Sequence, residues 1–342
     1  RPALPIAAQV FAFPKGRFMQ RRHFLSLSAL GAFGAAPGLA LAADAYPTKP
    51  IRVVIPYAAG GVTDSVGRKL CENLGKALGQ PVVVDNKAGA GGTLGMGDVA
   101  RAAADGYTLA LSAISPLTLS PHLMKLPYDP ATSIAAVAPM MYSPVYVLAT
   151  PAFSGKSWED LIAQAKATPE TIRFATSGIG SVGHIMLEQI QAKTGAKMIH
   201  VPYKGVGQTV NDAVGGHFEI MLGNPFGTIN GLLQQGTLRL LATTGPQRAP
   251  NQPQAKTLAE LGIPEANLTS LFGFMAPGKT PPAIVAQLAK AIQTQLDEPS
   301  IQELMRSTDN VPLKISPAEF TELLRKESAA NAKIIAQAGI KL

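Results

Sequence analysis

Two α/β lobes crossed by two strand-like segments are what the sequence predicts, and three observations carry that prediction. From Ile51 the chain alternates β-branched runs with amphipathic runs in the order β-α-β-α-β, the doubly wound unit with a parallel sheet. The same alternation restarts near Trp158 and continues to Thr243. Between and after these halves lie two further strand-like segments, Pro144–Thr150 and Phe272–Ala276, placed to leave and re-enter the first half. A chain of 342 residues is long enough for two such cores.

The organising stretch is IRVVIPYAAGGVTDSVGR, residues 51–68. Its β-branched run stops at Pro56, passes through Tyr57-Ala58-Ala59-Gly60-Gly61 and meets Thr63-Asp64. This reads as strand, glycine-rich turn and helix start, a junction that aims unpaired N–H groups and a positive dipole end at one point. Val66, Leu70, Leu74 and Leu78 then share a helical face, with Cys71 beside it as a small core residue. Val82–Val84 is the second strand, followed by the glycine loop Ala88–Gly92. A helix over Leu94–Ala103 and a strand over Tyr107–Ser112 complete the unit. Pro121–Met141 reads mostly as connection, with Tyr128-Asp129-Pro130 as a turn.

In the second half the pattern predicts helices at Trp158–Lys166, Gly183–Thr194, Gly207–Val214 and Ile229–Gln235. Strands fall at Ile172–Thr176, Met198–Val201, Phe218–Leu222 and Leu238–Thr243. Pro281–Leu296, Ser300–Thr308 and Pro317–Ala338 read as C-terminal helices. The expected division is 46–147 plus 271–342 for the first lobe and 148–270 for the second, with hinge closure over the cleft between them.

Composition narrows the function. The net charge is +8, but Arg1, Lys15, Arg17, Arg21 and Arg22 precede any acid. Removing those five from the 30 basic residues leaves 25 against 22 acidic ones, a net of +3. Nucleic-acid binding loses most of its support. Residues 1–45 read as an upstream extension and a removed signal peptide, with Met19 as the expected start. Arg21-Arg22 precedes an uncharged run, and Ala40-Leu41-Ala42 is a cleavage pattern (Ala43-Asp44-Ala45 is a second). Gln20 and Ser26 depart from the twin-arginine pattern, which leaves the general secretory route open. The single cysteine allows no internal disulfide, and the histidines show no metal-ligand spacing.

Three motifs resemble other chemistries and fall short of them. Gly178–Gly183 matches G-x-G-x-x-G after a strand, yet the next strand, Met198–Tyr203, carries no acid for a ribose. The Gly89–Gly92 loop runs into Thr93-Leu94 and lacks the lysine of a P-loop. Ser181 and His184 share a helix face, but no G-x-S-x-G elbow surrounds the serine and no acid is assignable to the histidine. The serine loop is instead a second anion-friendly helix start.

Taken in order, Pro56-Tyr57-Ala58-Ala59-Gly60-Gly61-x-Thr63-Asp64, Asn86–Gly92, Asp105-Gly106-Tyr107 and Val201-Pro202-Tyr203-Lys204-Gly205 resemble the Bug (Bordetella uptake gene) receptors. These are also described as the substrate-binding subunits of tripartite tricarboxylate transporters. The resemblance covers Tyr46–Leu342 and implies a type II periplasmic binding protein fold, α/β, with two lobes joined by two hinge crossings. It implies no catalysis, no cofactor and no metal. The implied ligand is a small carboxylic acid, and the implied partners are integral-membrane transporter subunits or a sensor kinase, for an exported, periplasmic monomer. Carried over residue by residue, Tyr57, Ala58, Gly60, Gly61, Thr63 and Asp64 form a carboxylate cradle in the first lobe, with Ser112 lining the cleft. Ser177, Gly178, Ser181, His184, Tyr203 and Asn224 answer from the second. The chain departs from the family at Thr93-Leu94-Gly95-Met96 and at Ala58-Ala59, where prolines are common.

Overall fold

The computed structural model describes residues 46–340, so the signal peptide read at 1–45 lies outside the described residues. β1 (Ile51–Ile55) is buried on both faces and sits between β2 (Val82–Asn86) and β3 (Thr108–Ala113), parallel to each. α1 (Val62–Leu78) begins four residues earlier than the apolar stripe suggested, which brings Thr63 and Asp64 into its first turn. α2 (Thr93–Ala100) connects β2 to β3, and a one-turn helix, α3 (Ser115–Thr118), follows β3.

The stretch read as connection holds a ten-residue strand, β4 (Ile134–Ser143). Pro139 misled the reading. It lies opposite Gly273 where the pairing with a later strand shifts register, so its missing N–H falls at a bulge. After Pro144 and Val145 alone, the chain continues as β5 (Tyr146–Ala149) in a different sheet. Tyr146 and Val147, assigned by sequence to the first lobe, therefore pair in the second sheet.

That sheet is built from α4 (Trp158–Ala167), β6 (Arg173–Thr176), α5 (Val182–Thr194), β7 (Ile199–Pro202), α6 (Val206–Val214), β8 (Ile220–Gly223), α7 (Gly227–Gln234) and β9 (Arg239–Ala242). Ser157 starts α4 with a capping box to Asp160. β10 (Ser270–Pro277) returns to the first sheet, and α8 (Pro282–Gln295), α9 (Pro299–Arg306), the short β11 (Val311–Pro312) and α10 (Pro317–Ala338) complete the chain.

The strand orders are β11-β4-β10-β3-β1-β2 and β7-β6-β8-β5-β9. Each sheet has a parallel trio flanked by a reversed strand, β10 in the first and β5 in the second, beyond which the remaining strands pair antiparallel. The expected parallel sheets are thus mixed. A strand that runs straight out of one sheet enters the next against the direction of its neighbours.

Alternate residues of β1 serve opposite faces. Val53 and Ile55 pack with Leu70, Leu74 and Phe274, while Val54 packs with Met96, Met275 and Phe320. Phe320 anchors α10 on the first sheet, and Ile335 at its far end packs with Ile185 of α5. No helix among the described residues is long and apolar enough to cross a membrane.

Candidate functional site

The α1 junction is held by one carboxylate. Asp64 is buried and accepts the Gly60 N–H at 3.0 Å, Arg68 Nε at 3.0 Å, Asn86 Nδ2 at 3.0 Å and the Arg68 guanidinium tip at 2.9 Å. Burial pushes its pKa up, but the hydrogen bonds from Arg68, Gly60 and Asn86 outweigh it and hold the carboxyl below its ordinary value. Asn86 Nδ2 also reaches the Tyr57 carbonyl at 3.1 Å. The loop is therefore fixed by its own side chains, while α1 itself has no side-chain cap. Its first N–H groups stay open to a guest.

Across from it, the Thr176–Ser181 loop leads into α5. The Gly178 N–H donates to Thr176 Oγ1 at 3.2 Å and the Gly180 N–H to His184 Nδ1 at 3.3 Å. Ser181 Oγ caps α5 by accepting the His184 backbone N–H at 3.3 Å. A third start, α6, has Gly205 at its N-cap and no side-chain cap.

These starts surround a cavity of about 50 Å³. Its lining includes Tyr57, Ala58, Gly61, Thr63 and Asp64 from the first jaw, Ser177 and Ser181 from the second, and Asn224. Val62, Val145, Val206, Leu222 and Phe272 form an apolar wall. The lining contains no lysine, arginine or histidine, and its one charged residue, Asp64, is already paired. Thr63, Ser115 and Ser177 line the cavity with hydroxyls that take no protein partner among the described residues.

Five sequence-predicted site residues stand elsewhere. Gly60 spends its N–H on Asp64, and Gly178 spends its own on Thr176. Ser112 is fully buried behind the cavity, donating to the Ala113 carbonyl at 2.7 Å and lying 3.3 Å from the Tyr57 hydroxyl. Strand alternation gives the cavity Ala113 instead, and Ser115 just beyond the strand. Burial pushes the Tyr57 phenol up to about 12. His184 is buried under the loop, and its ring meets the Gly180 N–H and not Ser181 Oγ, so the pair lacks a nucleophile–base hydrogen bond. Tyr203 turns away to donate to Asp212 at 2.6 Å and rests edge-on against Phe218.

Asn224 lines the cavity but spends its amide on the crossings. Nδ2 donates to the Pro144 carbonyl at 2.8 Å, and Oδ1 accepts from Ser270 Oγ at 3.3 Å. Besides the apolar wall, the sequence reading missed the lining hydroxyls of Ser115 and Ser270, and Ser115 was the more legible of the two. Its signal was Ser-Pro directly after a strand, a helix-starting pair.

The jaws touch. The Ala58 N–H donates to the Lys204 carbonyl at 3.0 Å. A methyl on Gly91 would overlap the Ile179 carbonyl oxygen, and one on Gly207 would overlap that of Ala59. A Cβ on Gly61 would lie 3.5 Å from the Gly207 nitrogen, so the positive ends of α1 and α6 abut.

The receptor family of tripartite tricarboxylate transporters matches residues 66–340. The chain belongs to this family. It is 36% identical over 320 residues to Protein BugT of Bordetella pertussis, covering 92% of this chain and 98% of that one. Among solved structures, the periplasmic binding protein BugD superposes with a TM-score of 0.82 at 31% identity, over 86% of this chain and 99% of the other. A protein from R. palustris solved with adipate gives 0.81 at 30%, over 86% and 99%. MatC from Rhodopseudomonas palustris with bound malate gives 0.79 at 27%, over 85% and 100%. These relatives are binding proteins, and the type II two-sheet architecture of this receptor is theirs.

Proposed function

We propose that this receptor captures a small carboxylate between its two sheets, in the periplasm, and hands it to the integral-membrane subunits of a transporter. The observation that carries the reading is the meeting of three helix starts on a cavity without a single cation. Two positive dipole ends in van der Waals reach repel each other unless an anion lies between them. A carboxylate supplies that anion, accepts the open N–H groups of α1 and meets the hydroxyls of Thr63, Ser115 and Ser177. The apolar wall suits a short carbon chain. Adipate in one relative and malate in another support this ligand class.

On this reading the protein is an exported monomer that performs no reaction. Ser181 and His184 act as a cap and a loop support.

A thermal-shift series with adipate, malate and adipamide tests it. Ligand at a hundredfold over Kd stabilises the native state by about 2.7 kcal/mol, roughly a 5 °C rise for a body of this size. A rise with a carboxylate and none with the neutral diamide is expected. A rise with adipamide alone overturns it. Gly61→Pro, which removes a donor at the start of α1, is expected to abolish the shift.

A further inference from the structure

Beneath the second jaw lies a pair of side chains that the capture of a carboxylate does not itself require. His184 of α5 and His200 of β7 stack with ring centroids 4.4 Å apart and planes 10° from parallel. Each ring supports the Ser177–Ser181 loop from below. His184 Nδ1 accepts the Gly180 N–H, and His200 Nε2 lies 2.7 Å from Thr176 Oγ1, which in turn accepts the Gly178 N–H.

We propose that His184, braced by the stacked ring of His200, is a positioning residue that holds the second-jaw loop only as a neutral imidazole, so that acidification loosens this jaw and releases the ligand. The inference deepens the carboxylate-receptor reading and rests on it for the ligand, but not for the loop.

The chemistry follows from the contacts. An imidazole that accepts an N–H at Nδ1 carries its proton on Nε2. Adding a second proton turns Nδ1 into a donor facing another donor, and the Gly180 bond is lost. Two stacked imidazolium rings also repel. The surroundings do little to stabilise a charged pair. Both rings are partly or wholly buried, and burial lowers the pKa of each, that of His200 to about 4 with His184 adding to the effect. From α5, Glu188 lies 3.9 Å from His184 Nε2, but its carboxyl is itself pushed up by burial, with Lys197 pulling the other way. From β6 the facing group is the Thr176 hydroxyl. Among the described residues, no carboxylate of α10 or of the Pro264–Ala266 turn comes within ion-pair distance of either ring.

The test is a nuclear magnetic resonance titration of the ligand-free protein, with histidine and glycine labelled, from about pH 7.5 to about 3.5. His184 is expected as the Nε2–H tautomer, with the Gly180 amide moving in step with the ring. In His184→Asn, whose side-chain oxygen replaces the Nδ1 acceptor without titrating, the Gly180 amide is expected to stay constant. In His184→Phe, which keeps the stack and drops the acceptor, that amide is expected to exchange at least tenfold faster. A Gly180 amide that ignores the ring's titration, or that is unchanged in His184→Phe, overturns the proposal.

A second arm uses adipate as the probe. Its affinity for the wild type is expected to fall at least tenfold more across that range than its affinity for His184→Asn, the probe's own protonation being common to both. Equal pH dependence overturns the proposal. Failure to bind adipate at any pH counts against the carboxylate reading, while the amide titration still decides the inference.

Discussion

The two jaws do one job with opposite materials. The first is locked by charge, since Asp64 gathers donors from Gly60, Arg68 and Asn86. The second is locked by neutral groups, namely Ser181, Thr176 and two stacked imidazoles. On the proposed reading, the difference teaches that an anion site can be preorganised without a cation facing the guest. In the first jaw the negative charge that shapes the loop is cancelled by Arg68 before a second anion arrives. In the second no charged group bonds the loop itself.

The comparison breaks most severely at the seam where the jaws meet. Gly207→Ala adds one methyl against the Ala59 carbonyl. It is expected to weaken ligand binding about a hundredfold, about 2.7 kcal/mol, with little loss of denaturant stability because alanine suits the first turn of α6. Calorimetry with adipate, together with X-ray scattering for an opened shape, checks it. Full affinity in the variant would show that the seam does not close on the ligand.

Asp64→Ala tests the charged lock. It leaves the Gly60 N–H and the half-exposed Arg68 without their acceptor, at a cost of about 2–3 kcal/mol in urea unfolding. Ser181→Ala, the matching change in the neutral jaw, removes a helix cap and is expected to cost about 1 kcal/mol. Equal losses would erase the contrast.

Acid separates the jaws by order. The buried histidines are neutral when folded, so the unfolded chain takes up protons first as pH falls below the ordinary histidine value of 6.5. Stability is expected to fall from there as the folded rings resist protonation, with the His200 contribution levelling off near pH 4. Asp64, whose pKa is lowered, contributes fully above the ordinary carboxyl value of 3.8 and loses its contribution only below it. Histidine-deleted variants should therefore flatten the upper part of a stability–pH curve and leave the lower part.

The smallest effect is expected at Tyr203. Tyr203→Phe loses the bond to Asp212 on a partly exposed face, about 1 kcal/mol of stability at most. Adipate affinity is expected to stay within about twofold. A tenfold loss would return Tyr203 to the cleft.

Local signals made much of this legible. β-branched runs ending in glycine turns located β1, α1 and the Ser177 loop, because each junction is written in consecutive residues. The site residues that depend on distant partners were not readable in the same way. Tyr203 follows Asp212, Asn224 follows the Pro144 carbonyl and Ser270, and His184 follows Gly180 and His200. Ser112 lies one step of strand parity from the cavity-lining Ala113, a step that only pairing fixes. β4 was hidden because Pro139 breaks a strand in isolation and is absorbed once β10 bulges beside it.

The crossings of the two sheets are brief. β4 and β5 are separated by Pro144 and Val145, and the other passage lies between Leu268, packed on the second sheet's core, and Ser270, where β10 begins. Asn224 bonds to both passages at once. Two short pivots tied by one amide behave as an axle and not as a tether, because proline has already removed one of the few free torsions. If the lobes open as proposed, that motion would follow a single coordinate, an angle. On the proposed reading, a membrane partner that gauged the gap at the mouth would gauge occupancy with no need to touch the ligand.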